Sequence, residues 1–160
     1  WNGHGNMTEG DIGLVHLTAN GLHLLAGLGW AGAVAVFLWT AFQRDIDVPA
    51  YSARLQRFAA TGSALVAILI ATGFANALFI VGWEALPTMV TTDYGRLLLI
   101  KLGLFIAMLA AAAVNRWWLT PRLALSSGES ALRASLAAEL ALGAGVLALV
   151  AWLGTLDPTV

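Results

Sequence analysis

The chain of 160 residues is 59% hydrophobic and 11% charged, with a formal net charge of −1; an ordinary soluble domain is less apolar and carries about twice that charged share. It therefore reads as an integral membrane protein, and the near-neutral balance with no basic stripe argues against nucleic acid as a partner. The lack of cysteine excludes disulfides and thiolate metal sites, so a metal here has only His, Met, carboxylate and backbone ligands available.

Charged residues are absent between Asp11 and Arg44, between Arg57 and Glu84, between Lys101 and Arg116, and between Glu139 and Asp157. The first two gaps exceed the roughly 20 apolar residues that cross a hydrocarbon core, and the last two reach that length only with a charge inside the span. The expected fold is all-α: four transmembrane helices in an up-and-down bundle, one domain over residues 1–160, with spans at about 12–42, 58–83, 94–118 and 127–156. The chain starts at Trp1 without an initiator Met, and reads as an excised piece of something longer.

In chain order, the polar, glycine-rich residues 1–11 are expected at the water interface. The first span carries Asn20-Gly21 as a candidate break between residues 12–19 and the crossing stretch from Leu22. A polar linker, 44–51, leads through amphipathic residues 52–57 into the second span, whose one strongly polar side chain is Asn76. Thr91-Thr92-Asp93 is suited to capping the third helix, and Pro121 ends it. Ser126 with Glu129 offers a capping box for the fourth, which Asp157-Pro158 stops.

Small residues recur every four positions in each span: Gly27, Ala31, Ala35; Ala67, Ala71, Ala75; Gly103, Ala107, Ala111; Ala137, Ala141, Gly145. Such ribbons let lipid-immersed helices approach closely. Six of the eight basic residues, Arg44, Arg54, Arg57, Arg116, Arg122 and Arg133, fall in the first and third connections or beside them. The positive-inside rule makes that side cytoplasmic and turns both termini outward, to the periplasm if the membrane is a bacterial inner membrane.

Two of the three histidines, His16 and His23, lie in HLTANGLHLLAGLGW (16–30), and His4 stands just upstream. All three, with Met7 and Met89, fall on the expected outer side, a set suited to copper. A histidine at a membrane interface is commonly structural, and that reading stays open for each. On one unbroken helix His16 and His23 share a face but stand about 10 Å apart along the axis, too far for one metal to bind both. Either Asn20-Gly21 breaks the helix, or the two belong to successive sites with His4 folding back on one.

By depth, His23, Asn76 and Lys101 are expected within reach of one another near the outer end, and Glu139 near Asn115 and Arg116 at the inner end. Glu139 is expected to pair with Arg116 or Asn115, since a lone carboxylate in hydrocarbon is costly. For Glu139 and Lys101 a structural or snorkelling role is weighed against ion or proton passage. Asn76 reads as an interhelical staple, the tryptophans as interface anchors, and Trp30 as packing. No GxSxG, HExxH or phosphate-loop motif occurs, so no catalytic residue is assigned and no enzyme activity is expected.

Three stretches resemble the copper resistance D (CopD) family of inner-membrane proteins: LHLLAGLGWAG (22–32), YGRLLLIKLGLFIAMLAAAAVNRWWLTPRL (94–123) and LRASLAAELALGAGVLALVAWLGTL (132–156). The second matches at Tyr94, Gly95, Arg96, Lys101, Asn115, Arg116, Pro121 and Arg122; the third has Glu139 at the family's acidic position. Gly3-His4-Gly5 is similar to the Gly-His that precedes this domain in longer members, which carry additional helices upstream. Asn20 departs from the family, where that position is often Asp. The resemblance implies copper uptake and homeostasis; taken with the clustering of the histidines, it makes a copper-binding inner-membrane protein the leading reading, with His4, His16 and His23 as periplasmic metal ligands. Asn20, Asn76, Lys101, Asn115, Arg116 and Glu139 are the supporting polar groups. It implies copper as the bound species, and membrane lipid, a periplasmic copper carrier and further helices or a second copy as partners. The alternatives are a membrane cytochrome-like redox protein binding haem b and a metal-free structural or assembly subunit.

Overall fold

The computed structural model describes residues 10–81, 91–123 and 128–155. Four long helices account for nearly all of them: α1 Gly10–Ala41, α2 Val48–Val81, α3 Asp93–Val114 and α4 Gly128–Leu153. Beyond α3 the chain runs on through a π-helical segment, Asn115–Leu119, and a 3-10 turn, Thr120–Arg122. Each helix is long and apolar enough to cross a membrane. The surface agrees, since Leu25, Val36, Trp39 and Ile106 are all more than half exposed, the inside-out pattern of a chain solvated by lipid.

Local sequence explains the boundaries. The Asp47 carboxylate accepts from the Ala50 amide at 3.1 Å, capping α2 with Pro49 in its first turn, where a missing N–H costs nothing. The linker is therefore shorter than expected, and the amphipathic residues 52–57 are the opening turns of α2. Thr92 caps α3 as expected, its hydroxyl accepting from Gly95 N at 3.0 Å. Pro121 sits inside the 3-10 turn that follows the π segment. Of the expected box on α4, Ser126 lies outside the described residues; Glu129 instead pairs with Arg133 at 3.0 Å. Asp157-Pro158 lies outside them too.

Antiparallel packing links α1 to α2, α3 to α4, and α1 to α4, while α2 meets the far end of α3 through the π segment and the 3-10 turn. One end of the bundle, the arginine end, carries Arg44, Arg54, Arg57, Arg116, Arg122 and Arg133. The other, the histidine end, carries His16, His23, Arg96 and Lys101. The core of Trp30, Val34, Tyr51, Met108, Leu132 and Leu136 fills the arginine half. It is pinned by Tyr51 Oη donating to the Phe37 carbonyl at 2.8 Å and Arg133 Nε donating to the Ala41 carbonyl at 2.6 Å; the second bond satisfies a C-terminal carbonyl that hydrocarbon cannot.

The four-residue ribbons face mainly outward: Ala35, Ala67, Ala71, Gly103, Ala107, Ala137 and Ala141 are exposed. Two ribbon residues do stand at seams, since a Cβ at Gly145 would meet Leu104 at 3.4 Å and one at Gly27 would meet Leu69 at 3.9 Å; small residues outside the ribbons join them. Ala19 and Ala26 are buried on α1, Gly29 admits Leu65, and Gly143 admits Met108. At Gly128 a Cβ would collide with the Arg122 main-chain carbonyl, a neighbour that cannot swing aside. Gly128→Ala is expected to cost about 1–3 kcal/mol by overpacking. A lower midpoint in denaturing-detergent titration checks this.

Candidate functional site

α1 is unbroken through Asn20-Gly21, so His16 and His23 stand on one face with about 10 Å between them. The spacing of seven continues to Trp30 and Phe37, and an answering series runs along α2. The His16 ring stacks on Phe79 with centroids 4.9 Å apart and planes at 21°. His23 meets Thr72, Gly29 beside Trp30 receives Leu65, and Phe37 packs edge-on to Phe58 at 5.3 Å. Residues 16, 23, 30 and 37 thus face 79, 72, 65 and 58 in reverse order, the seven-residue seam of two helices crossing at a shallow angle. The histidines occupy the two turns of that seam that lie beyond the packed core.

His16 is 2% exposed, closed off by α2. His23 is half-buried, and its Nδ1 lies 2.9 Å from Thr72 Oγ1. That hydroxyl spends its single proton on the Ile68 carbonyl at 2.6 Å, so in the contact with the ring it accepts and Nδ1 carries the hydrogen. This assignment leaves the lone pair on Nε2, the atom through which a neutral imidazole binds a metal while its other nitrogen is held by a fixed acceptor. Gly73 makes the approach feasible: a Cβ there would stand 3.2 Å from His23 Cε1.

Asn20 is part-buried, one turn from His16 on one side and from His23 on the other, hence on their face. Asn76 stands likewise between Thr72 and Phe79 on α2, with a buried Oδ1 that has no hydrogen-bond partner among the described residues. Lys101 of α3 lies within electrostatic reach of the His23 ring. His4, Met7 and Met89 lie outside the described residues, and within these no three His, Asp or Glu side chains gather.

At the other end, Glu139 is 3% exposed. Its Oε1 accepts from Trp30 Nε1 at 2.8 Å and its Oε2 from Asn115 Nδ2 at 2.9 Å. Of the two expected partners Asn115 is the one engaged; Arg116 is exposed and donates to Ser63 at 3.0 Å. Trp30, expected as packing, is also a hydrogen-bond donor. Trp39, Trp117, Trp118 and Trp152 are exposed, as membrane-interface anchors are, while Trp1 and Trp83 lie outside the described residues. Thr72 was not singled out from sequence. Its signal was there, a hydroxyl in an apolar run four residues before Asn76 and so on the same helix face.

The family model for copper resistance protein D matches residues 52–153, which leaves α1 and its histidines outside the match. Curated relatives reach across them. Copper resistance protein D of Pseudomonas syringae pv. tomato is 39% identical over 99% of this chain and 54% of its own length. Inner membrane protein YebZ of Escherichia coli (strain K12) is 33% identical over 98% of this chain and 54% of its own. Copper transport protein CutJ of Bacillus subtilis (strain 168) is 31% identical over 79% of this chain and 22% of its own. The chain therefore spans about half the length of the first two relatives. No solved structure matches it significantly.

Proposed function

The chain belongs to the copper resistance protein D family, and on that premise we propose that it is a copper-handling protein of the inner membrane whose α1–α2 seam receives the ion through imidazole nitrogens. The observation that carries this reading is the relay from His23 Nδ1 through the Thr72 hydroxyl to the Ile68 carbonyl, which keeps Nε2 in its ligating form without any change of protonation. His16, one heptad nearer the chain start, is the second imidazole. Because the two are about 10 Å apart on an unbroken helix, they hold successive ions, or one ion in succession, and never share one. His4 is the further ligand we assign, with Met7 and Met89 as soft donors suited to copper(I). The Lys101 ammonium near His23 favours the same oxidation state, since a neighbouring cation disfavours a doubly charged ion more than a singly charged one.

The basic residues at the arginine end are those the cytoplasm retains, so the histidines face the periplasm and copper enters from there. A periplasmic carrier is the natural donor, and additional helices or a second copy would enclose a path that four helices packed around a filled core do not. The role is transport; no residue is assigned to catalysis.

Metal and pigment analysis of the purified chain after copper loading tests the reading. Bound copper and no Soret band are expected; a Soret band with no copper would establish the haem alternative, and neither would leave the structural one. The relay itself is tested at Thr72. Thr72→Val removes the acceptor and is expected to weaken copper(I) binding about 10–100-fold, whereas Thr72→Ser keeps the oxygen and the affinity. Equal affinities in all three proteins, measured by competition with a chromogenic chelator, would contradict the assignment of His23.

A further inference from the structure

We propose that Glu139 and Asn115 form a proton-binding site inside the bundle, in which the carboxyl takes up and releases a proton while the Asn115 amide turns over to match it. This inference does not depend on the copper reading.

Glu139 is buried between α1, α3 and α4 with two neutral donors, the Trp30 indole and the Asn115 amide. Neither ion pair among the described residues includes it. On the elements packed around it, His16 and His23 of α1 and Arg96 and Lys101 of α3 lie toward the opposite, histidine end, Arg116 points away to Ser63, and Arg133, nearly two turns earlier on α4, is engaged with Ala41 and Glu129. A carboxylate with two hydrogen bonds and no countercharge is an expensive occupant of a membrane interior. A purely structural staple does not need it. A glutamine at this position would accept from Trp30 and donate to Asn115 Oδ1, closing the same three-helix contact with no charge to bury. What the carboxyl adds is an exchangeable proton.

The second observation is the acceptor for that proton. Asn115 is 7% exposed and its Oδ1 is buried with no hydrogen-bond partner among the described residues, although its Nδ2 is 2.9 Å from Glu139 Oε2. A half-turn of the amide exchanges the two ends. With Glu139 ionised, Nδ2 donates to Oε2, as seen; with Glu139 protonated, Oε2–H donates to Oδ1. The two arrangements have the same shape, so the pair is matched to either state. On loading, a hydronium ion transfers its proton to Oε2, an O–H bond forms and water leaves; on unloading, water takes the proton back. Asn115 also opens the π-helical segment, a distortion of the helical ladder that is frequent at working sites and uncommon elsewhere.

Infrared difference spectroscopy of the whole chain in lipid vesicles, taken between acid and alkaline buffer in light and heavy water, reads the proton directly. The expected result is a carboxylic-acid carbonyl band that grows on acidification, shifts in heavy water and is lost in Glu139→Gln. Its frequency is expected to move in Asn115→Leu, which removes the acceptor. A pH-dependent spectrum unchanged by Glu139→Gln would overturn the proposal. Should circular dichroism show that this variant does not fold, Trp30→Phe decides. It leaves the carboxyl in place and removes one of its hydrogen bonds, so a displaced band supports the site and an undisplaced one rejects it.

Discussion

Replacing His23 by alanine is expected to lower copper affinity by more than about 100-fold at one site, beyond what loss of a supporting hydrogen bond alone costs a metal site. The proposed ligand atom, Nε2, disappears, and Thr72 keeps only its bond to the Ile68 carbonyl. His16→Ala is expected to act on a different ion. On the continuous helix α1 the two residues stand about 10 Å apart along the axis, some five times a metal–nitrogen bond length. Each single variant should therefore lose its own bound equivalent and leave the other, and the double variant should lose both, with effects that add. Equilibrium dialysis with copper(I) separates these outcomes. Loss of both equivalents on removing either histidine would mean that the rings share an ion, contrary to the helix geometry.

The second large effect is on stability. Trp30→Ala is expected to be the most damaging single truncation, because it removes a core ring and one of the two donors to a buried carboxylate. In a water-soluble core such a truncation costs about 3–5 kcal/mol. In lipid the transfer part of that figure shrinks, so the cavity and the Glu139 hydrogen bond carry the loss. Trp30→Phe separates these contributions, keeping a ring against Phe58, which Trp30 meets edge-on at 6.4 Å. With Nε1–H gone it is expected to cost about 1–3 kcal/mol. Reversible unfolding in mixed micelles should rank wild type above Trp30→Phe above Trp30→Ala. A Trp30→Phe midpoint equal to wild type would mean that the bond to Glu139 adds nothing to stability.

The four helices were legible because hydrocarbon imposes a length, and the charge-free gaps display it. Connections were less legible. The linker was expected to run to residue 51 and the span to open at 58, although Asp47 already caps the helix and the amphipathic residues 52–57 are its turns emerging into water. Asn20-Gly21 looked like a break because a glycine pair with asparagine ends helices in water; in lipid an interrupted backbone has no water to bond, so the helix continues. The ribbons of small residues meet a neighbouring helix only in part, as at Gly27 and Gly145, since a repeat identifies residues that share a face without saying which face meets a neighbour. The heptad of His16, His23, Trp30 and Phe37 was on the page as well, but that Thr72 would answer His23 depends on the register of α2, which tertiary packing sets.

Glu139 illustrates the same limit at the other end. Depth in the membrane put Asn115 and Arg116 equally near it, and left either as the expected partner. The π segment that begins at Asn115 resets the helical phase there, leaving Asn115 buried against α4 and Arg116 at the surface, stacked at 5.6 Å over Trp117. No reading of spacing on an ideal helix supplies that turn.

X-ray absorption at the copper edge of the loaded protein bears most directly on the claim that imidazoles in the α1–α2 seam receive the metal. Outer-shell scattering from imidazole rings is predicted in the wild type, and the His16 and His23 double variant is predicted to lose most of its copper, with any that remains showing no more imidazole scattering than His4 supplies. Copper bound with full occupancy and an unaltered spectrum in that double variant would contradict the account.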